Sequence, residues 1–517
     1  MTTPSPSVRH RSRILAAFAA TALLTTAACG GGSDPSAKSE GAAELALAVQ
    51  GTPPSFEITQ LNGGQSAYIW SSLYDTLLYT DNQGRIQPNA AESYAYSEDR
   101  RTLTLELRKG MTFSSGAPVD AAAVKASLDR LLRTPGPNQF AMTAVETIEA
   151  PDADTVVIGL ERPDGSLLSN LSYLNGVIAD PATMTRPEAA ADPVGSGPYT
   201  LDKGATVTGS TYVLKKRADH WNAAAYPFET VKVRVMTDRS AVTNALQAGE
   251  LNAGSVDFTQ LQPLKDKGMR ITSVKATAVA SLILADRAGE VAEPLGDVRV
   301  RKAINMAFDR TKLAETFLRG SGQPTAQVFN PKGGGAHDPG LDEAHPHDTA
   351  AAKKLLADAG YPDGFPVTMP SLAVTKAFEP TIAQSLADIG VKVNWTPLPP
   401  QQQAAALSSK KYPMYFILDG LAGDAVTSTL FFSTRSQRNP FGSTDPELTK
   451  LIDAANKAAD PAAAGEAYRK VNAFAVDNGW FSPVFYIGTT WVTGEGVVYL
   501  GDGSSTYSQI RAFGTGG

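Results

Sequence analysis

Residues 91–132 read AESYAYSEDRRTLTLELRKGMTFSSGAPVDAAAVKASLDRLL and contain the pattern that decides the fold. In the segment Thr102–Leu107, leucines alternate with polar residues, which predicts a half-buried strand. Lys109 and Gly110 then turn the chain, and Asp120 can cap a helix. The apolar residues of that helix recur at helical spacing: Val124, Leu128, Leu131 and Leu132. A strand, a turn and a capped helix in this order indicate a scaffold of mixed α and β structure.

The length and composition of the chain describe a large globular protein. With 517 residues it is long for a single hydrophobic core, so we expect two or three lobes. An apolar content of 42% and a charged content of 19% are typical of a folded protein. The net charge of -6, without any basic tract, argues against a surface that binds nucleic acid or anionic lipid.

The first 29 residues predict a lipoprotein export signal. Three arginines precede an apolar run from Ile14 to Leu24, which is shorter than the roughly 20 residues that a membrane-spanning helix needs. The sequence Ala-Ala-Cys-Gly around Cys29 resembles the lipobox of bacterial lipoproteins, with Thr26 where Leu is usual. Cys29, the only cysteine, would carry the lipid, and residues 30–44 would form a flexible tether. The alternative is an ordinary signal peptide with a free cysteine.

The opening segment also resembles the signature of a known family. Its pattern AES-x3-SED-x2-T-L-T-x2-LRKG-x2-F-x2-G-x-P-V is similar to that of the extracellular solute-binding proteins of peptide-type ABC importers, which include oligopeptide-, dipeptide- and nickel-binding proteins. Residues 193–199, PVGSGPY, are similar to a second landmark, which we interpret as a structural turn. Residues 297–310, DVRVRKAINMAFDR, are similar to a third. The likeness runs in order from about residue 45 to about residue 490.

This resemblance implies an α/β, two-lobed periplasmic-binding-protein fold of class II with an additional subdomain. The expected divisions are lobe I (residues 45–75, 192–278 and 484–517), an inserted subdomain (76–191) and lobe II (279–483). The chain should cross between the lobes near residues 279–285 and 480–487. Strand Val367–Met369, helix Thr381–Ile389 and strand Val391–Trp395 predict a βαβ unit with parallel strands.

Ligand recognition is expected in residues 419–425, DGLAGDA. Peptide-binding members of the family carry G-W-x-x-D here, and their Asp pairs with the ligand's α-ammonium group. Asp424 matches that Asp, whereas Leu421 replaces the Trp. Dipeptide-binding members also use an Arg-Pro pair in the preceding βαβ loop, but no Arg lies between residues 367 and 395, which favours longer peptides or a non-peptide amine. The candidate ligand contacts are Asp424, Leu421, Gly420, Ala422, Asp419 and Phe56.

Two other kinds of site were considered. Ser408 and Lys411 satisfy the S-x-x-K motif of penicillin-interacting enzymes, but the S-D-N and K-T-G motifs are absent, as are G-x-S-x-G, a P-loop and H-E-x-x-H. Residues 337–347 hold three histidines among acidic residues, which suit zinc or nickel, but they follow no helical or strand spacing. A solvated helix end and a surface loop are therefore favoured, and we expect no catalytic residue, metal or cofactor.

The resemblance implies a binding function. The protein would capture an oligopeptide or similar solute in an interlobe cleft, on the outer face of the cytoplasmic membrane. It would act as a monomer, attached to the membrane only through lipid, and deliver the solute to permease subunits of an ABC importer. A nickel chelate, a siderophore or a glycan on the same fold is the alternative, and a cell-wall lipoprotein hydrolase is a remote one.

Overall fold

The computed structural model describes residues 44–458, 460–505 and 507–516, except for the side chains of residues 400 and 401. The predicted export signal, Cys29 and the tether up to residue 43 lie outside the described residues. Within the described part, no helix combines the length and the apolar character needed to cross a membrane. The described residues belong to one compact unit, residues 41–517.

The described residues contain 19 strands and 13 α-helices. The strands are β1 (Glu44–Val49), β2 (Leu78–Thr80), β3 (Ile86–Pro88), β4 (Ala91–Tyr96), β5 (Thr102–Leu107), β6 (Val145–Glu149), β7 (Thr155–Leu160), β8 (Tyr199–Leu201), β9 (Thr211–Lys216), β10 (Thr230–Val235), β11 (Ala253–Val256), β12 (Arg270–Leu284), β13 (Gly322–Pro324), β14 (Phe365–Ser371), β15 (Val391–Pro397), β16 (Met414–Gly420), β17 (Ser482–Thr493), β18 (Gly496–Tyr499) and β19 (Phe513–Gly516). The helices are α1 (Ala67–Leu73), α2 (Ala121–Arg133), α3 (Leu167–Leu171), α4 (Arg239–Ala248), α5 (Gln262–Asp266), α6 (Val298–Met306), α7 (Arg310–Leu318), α8 (Thr349–Asp358), α9 (Glu379–Ala387), α10 (Pro400–Ser408), α11 (Asp424–Phe432), α12 (Pro446–Asn456) and α13 (Pro461–Asp477).

The largest sheet has nine strands in the order β16-β12-β17-β11-β1-β10-β9-β8, with β13 beside β17. The two longest strands, β12 and β17, pair antiparallel with each other. They lie between β16, at one edge of the sheet, and β11. The first part of β12 lies opposite the end of β17 that pairs with β11, whereas residues 278–284 of β12 pair with β16. The register shifts between Val274 and Ala278. Opposite this shift, a Cβ atom at Gly488 would lie 2.1 Å from the carbonyl oxygen of Ser321, so the close approach requires glycine.

The opening segment forms the elements that its pattern predicts. Strand β5 buries Leu103, Leu105 and Leu107 in the four-stranded sheet β4-β5-β7-β6. Asp120 caps α2, and its carboxylate accepts a hydrogen bond from the backbone N–H of Ala123 at 2.8 Å. This agreement follows from local rules, because alternation and capping depend on neighbouring residues.

A single buried arginine joins the opening segment to the PVGSGPY turn. The guanidinium group of Arg217 donates to the carbonyl oxygens of Thr112, Ser196 and Gly197. The turn packs on the end of α1, where a Cβ atom at Gly197 would lie 2.4 Å from the carbonyl carbon of Leu73. These contacts give the second landmark a packing role.

The third landmark and the predicted βαβ unit are also present. Asp297 caps α6, accepting from the N–H of Arg299 at 2.8 Å, and the buried guanidinium of Arg310 donates to the carbonyl oxygen of Pro483 at 2.8 Å. Strands β14 and β15 pair in parallel, and α9 lies between them in the sequence. The predicted βαβ unit is therefore confirmed.

The buried apolar side chains form separate clusters along the chain. One cluster draws on residues 45–74, 177–253 and 491–513, another on residues 77–178, and two more on residues 279–486. The divisions expected from the sequence follow similar segments, and their boundaries stay a prediction.

Candidate functional site

A cavity of about 400 Å³ lies where the separate clusters meet. Its walls come from distant parts of the chain: residues 64–68, 138–141, 170–175, 420–430 with α11, the middle of β12 and β17, and residues 499–508. Cavities of roughly 300 to 1,000 Å³ are typical of sites for small organic ligands. The position and size therefore identify it as the candidate binding site.

The described residues that line this cavity carry no charge: none is Asp, Glu, Lys, Arg or His. Six are aromatic, namely Tyr68, Phe140, Tyr173, Trp491, Tyr499 and Tyr507. Burial raises the pKa of Tyr499 to about 12 and raises the pKa of Tyr507 as well, so both hydroxyl groups stay protonated at neutral pH. The cavity is thus neutral, with aromatic faces and polar groups.

The aromatic side chains present flat faces in defined orientations. Tyr173 and Tyr507 stack with ring centroids 4.2 Å apart and planes 6° apart. Trp491 and Tyr499 also stack, at 5.0 Å and 20°, and Tyr68 meets Trp491 edge-on. Because each ring is fixed by its neighbour, the walls lose little conformational freedom when a ligand binds.

Three asparagines supply the polar groups of one wall. The amide nitrogen of Asn138 donates to the carbonyl oxygen of Leu61 at 2.7 Å, and that of Asn175 donates to the carbonyl oxygen of Asn138 at 3.1 Å. Asn170 donates to the carbonyl oxygen of Ala141 at 3.2 Å. These bonds use the amide nitrogens, so the side-chain oxygens are the groups that remain to accept hydrogen bonds from a ligand.

Three of the six predicted contacts line the cavity. Gly420 ends β16, and Leu421 and Ala422 lead from it towards α11. The pairing of β16 with β12 holds them in place, since Gly420 lies opposite Ala278 and the N–H of Leu421 donates to the carbonyl oxygen of Thr277 at 3.0 Å.

Asp424 does not line the cavity; it is the buried first residue of α11. Its Oδ2 accepts from the N–H groups of Gly335 and Ala336 at 2.8 and 3.0 Å, whereas its buried Oδ1 has no hydrogen-bond partner among the described residues. Burial raises the pKa of Asp424 from its ordinary 3.8 to about 6, although these two hydrogen bonds act in the other direction. A Cβ atom at Gly334 would lie 2.1 Å from Oδ2, which explains the glycine at this position. Amine recognition by Asp424 stays a prediction.

Asp419 and Phe56 also lie outside the cavity lining. The carboxylate of Asp419 is 5% exposed and accepts two hydrogen bonds from Nε of Arg438, at 2.9 and 2.8 Å. Phe56 is buried against Tyr212, edge to face at 6.0 Å. Both residues therefore contact other parts of the protein and not the cavity.

Sequence reasoning missed the tyrosines after β18 and the asparagines of residues 138–175. A signal was available for the first group: residues 499–508, YLGDGSSTYS, combine tyrosine with Gly and Ser, a composition typical of binding loops. For the asparagines no pattern stood out, because they are spread over 38 residues that include two strands and a short helix.

Contacts also join the segment before α3 to helices α11 and α12. The N–H of Gly165, in the loop before α3, donates to Oδ1 of Asn456 at the end of α12, at 3.3 Å. The hydroxyl of Thr429 on α11 lies 3.3 Å from that of Ser166. A Cβ atom at Gly165 would lie only 2.7 Å from the hydroxyl oxygen of Tyr468. A side chain at position 165 would therefore crowd this contact.

The motifs considered for catalysis and metal binding have other contacts. The hydroxyl of Ser408 donates to the carbonyl oxygen of Ala404 at 2.9 Å, and Lys411 lies over the ring of Tyr412. His337 faces Asp342 at 3.3 Å, while Nε2 of His345 lies 2.9 Å from the carbonyl oxygen of Val476. Among the described residues, no group of three or more His, Cys, Asp or Glu side chains could hold a metal ion.

Comparison with known proteins identifies the family. The family described as bacterial extracellular solute-binding proteins, family 5, middle part, matches residues 85–440. Glutathione-binding protein GsiB of Escherichia coli K12 is 28% identical over 411 residues, which cover 78% of this chain and 76% of GsiB. Proteins of this family are not enzymes; they bind peptides or small solutes outside the cytoplasm and deliver them to ABC permeases.

Solved structures show the same fold. The binding protein AgaA of A. tumefaciens R10, in complex with agropinic acid, has a TM-score of 0.79 at 24% identity and covers 92% of this chain and 99% of AgaA. DppA of Helicobacter pylori, in complex with the peptide STSA, has a TM-score of 0.79 at 21% identity and covers 91% and 98%. Both are two-lobed periplasmic binding proteins. The chain thus has their α/β two-lobed fold and belongs to the bacterial extracellular solute-binding proteins of family 5.

Proposed function

We propose that this protein captures an oligopeptide, holds an uncharged section of it in the central cavity, and delivers it to the permease of an ABC importer. The observation that carries this proposal is the neutral lining of the cavity, which offers amide, hydroxyl and aromatic groups. Peptide groups are neutral and both donate and accept hydrogen bonds, so they suit such walls.

The same lining argues against a free dipeptide. Both ends of a dipeptide are charged, and removing a charge from water without an opposite partner costs several kcal/mol. No charged side chain lines the described part of the cavity, so the ends of the ligand belong elsewhere. A longer peptide satisfies this condition. The likeness to GsiB supports a peptide ligand, because glutathione is a tripeptide.

A neutral oligosaccharide is a second candidate, and the aromatic walls favour it. Sugar rings pack on flat aromatic faces, and the stacked pairs Tyr173–Tyr507 and Trp491–Tyr499 present such faces. The hydroxyl groups of a sugar would find acceptors in Asn138, Asn170 and Asn175.

Mass spectrometry of the ligand retained through purification, followed by calorimetry, tests these candidates. Calorimetry should use di-, tri- and penta-alanine and the neutral oligosaccharide cellotriose. We expect binding of the longer peptides, with di-alanine at least tenfold weaker. Binding of cellotriose without binding of any peptide would establish the second candidate and refute the first.

A pair of matched variants localises the binding. Asn175→Asp places a charge in the neutral wall, whereas Asn394→Asp makes the same change at an exposed position of β15. We expect peptide affinity to fall at least tenfold in Asn175→Asp and to stay unchanged in Asn394→Asp. Equal affinities in the two variants would place the ligand outside this cavity.

We further infer that the protein is anchored through lipid on Cys29 and that its lobes close on the ligand by bending β12 and β17. The resemblance of residues 27–30 to a lipobox supports the first inference. The irregular register between Val274 and Ala278 supports the second, because few ladder hydrogen bonds break when the strands bend there.

A further inference from the structure

Two more cavities share lining residues with the central one. Phe140, on the turn Gln139–Met142, lines the central cavity, a second cavity of about 410 Å³ and a third of about 250 Å³. The three cavities therefore lie against one aromatic side chain.

The two neighbouring cavities differ in charge. Arg435 is the sole charged residue among the described residues that line the second cavity. The third cavity is lined by Asp164 and Asp453 as well as Arg162, which leaves it net negative. A carboxylate is repelled by the third cavity and attracted by the second.

Two other cations, Lys410 and Arg438, already have carboxylate partners, whereas Arg435 remains available for a ligand. Arg438 is paired with Asp419, and Lys410 lies 2.9 Å from Glu290. Within the described residues, the exposed side chain of Arg435 has no ion pair with a carboxylate. The planar guanidinium group matches a carboxylate with two parallel hydrogen bonds, and Thr143 and Gln437 add neutral polar groups beside it.

We propose that the second cavity is an anion subsite, in which Arg435 binds the C-terminal carboxylate of the peptide whose uncharged section fills the central cavity. This inference rests on the proposed function and adds a direction to it: the peptide passes Phe140 with its C-terminal end first. It also places a specificity residue outside residues 419–425, in the segment after α11.

Calorimetry with penta-alanine and penta-alanine C-terminal amide tests the subsite. For the wild-type protein we expect the amide to bind roughly ten- to a hundredfold more weakly, the range of a hydrogen bond to a charged group. In Arg435→Gln this difference should vanish, because the free acid loses its partner. In Arg133→Gln, a control at an exposed arginine beside Leu132, the difference should persist.

The outcomes separate this inference from the proposed function. If penta-alanine binds but acid and amide bind equally to the wild type, or if Arg435→Gln keeps the difference, the subsite is refuted and peptide binding stands. If no alanine peptide binds the wild-type protein, peptide binding fails and the subsite fails with it. Arg435→Lys adds a check on geometry: a single ammonium group should restore part of the preference for the acid.

Discussion

Replacing Asp424 by Asn should stabilise the protein at neutral pH. The carboxylate is buried at the start of α11, with one oxygen bonded to two backbone N–H groups and the other without a hydrogen-bond partner. Asn has the same shape, and its side-chain oxygen can accept from Gly335 and Ala336 as Oδ2 does. The substitution therefore removes the charge and keeps the contacts that tie residues 333–336 to α11.

The pKa of Asp424 sets the size of the effect. Burial raises it from 3.8 to about 6, so between these values the folded protein binds a proton that the unfolded chain does not. Stability is therefore highest below pH 3.8, is lost as the pH rises from about 4 through 6, and changes little above that. At about 1.4 kcal/mol per pKa unit, the ionised carboxylate costs about 3 kcal/mol at pH 7 and about 0.5 kcal/mol at pH 4.

Urea unfolding of the wild type and Asp424→Asn at pH 7 and pH 4, both in a Cys29→Ser background, measures this cost. We expect the variant to be more stable by about 1 to 3 kcal/mol at pH 7, and the two proteins to converge at pH 4. A variant that is less stable than the wild type at pH 7 would refute the reasoning, since the carboxylate would then contribute net stabilisation.

The same variant tests whether Asp424 recognises a ligand amine. A charge that is costly in the folded protein is typical of functional sites, where stability is exchanged for binding. Amine recognition predicts that Asp424→Asn weakens binding of a free-amine peptide roughly thirtyfold or more, about 2 kcal/mol. It also predicts that N-acetylation weakens binding to the wild type alone. Unchanged affinity in both comparisons would leave Asp424 with only its described role of holding residues 333–336.

Three further changes have defined outcomes. Asp419→Asn leaves the buried guanidinium of Arg438 without its charged partner, so urea unfolding should show a loss of about 3 to 5 kcal/mol, against less than about 0.5 kcal/mol for the exposed Asp453→Asn. Gly165→Val places a side chain against Tyr468 and Asn456, so small-angle scattering in the presence of ligand should show a larger radius of gyration than for the wild type. The control is Gly51→Val, which has open space around its Cβ. Equal radii in all three proteins would contradict a closing role for Gly165. Cys29→Ser should move the protein from the membrane fraction to the soluble fraction, and an unchanged distribution would rule out the lipid anchor.

The fold could be predicted because its determinants are local or repeat a family pattern. The alternating leucines of β5, the cap at Asp120 and the parallel pair β14–β15 follow from residues close in sequence. The pairing of β12 with β17 is different. Their paired residues are 200 or more positions apart, so only the family resemblance predicted a crossing between the lobes, near residues 279–285 and 480–487, and this crossing stays a prediction.

Only the part of the site that the family pattern covers could be predicted from the sequence. Leu421 follows from the match to G-W-x-x-D, and it does line the cavity. Asp419 stands in the same motif, but its partner Arg438 lies 19 residues later, and no spacing rule reveals such a pair. Phe56 follows the first strand, where ligand contacts are common, yet it packs against Tyr212 in the core. The direction in which a side chain points after a strand depends on tertiary packing, which a single sequence does not reveal.

The residues that form the family landmarks differ from the residues that line the central cavity, and this difference affects ligand specificity. Arg217, Gly197 and Asp120 hold the scaffold, and none of them lines the central cavity. Phe140 comes from the segment 76–191 and lines all three cavities, whereas Arg435 comes from the segment after α11 and lines the second. Neither residue belongs to a family landmark, so changes around Phe140 should alter which solute is carried without changing the fold.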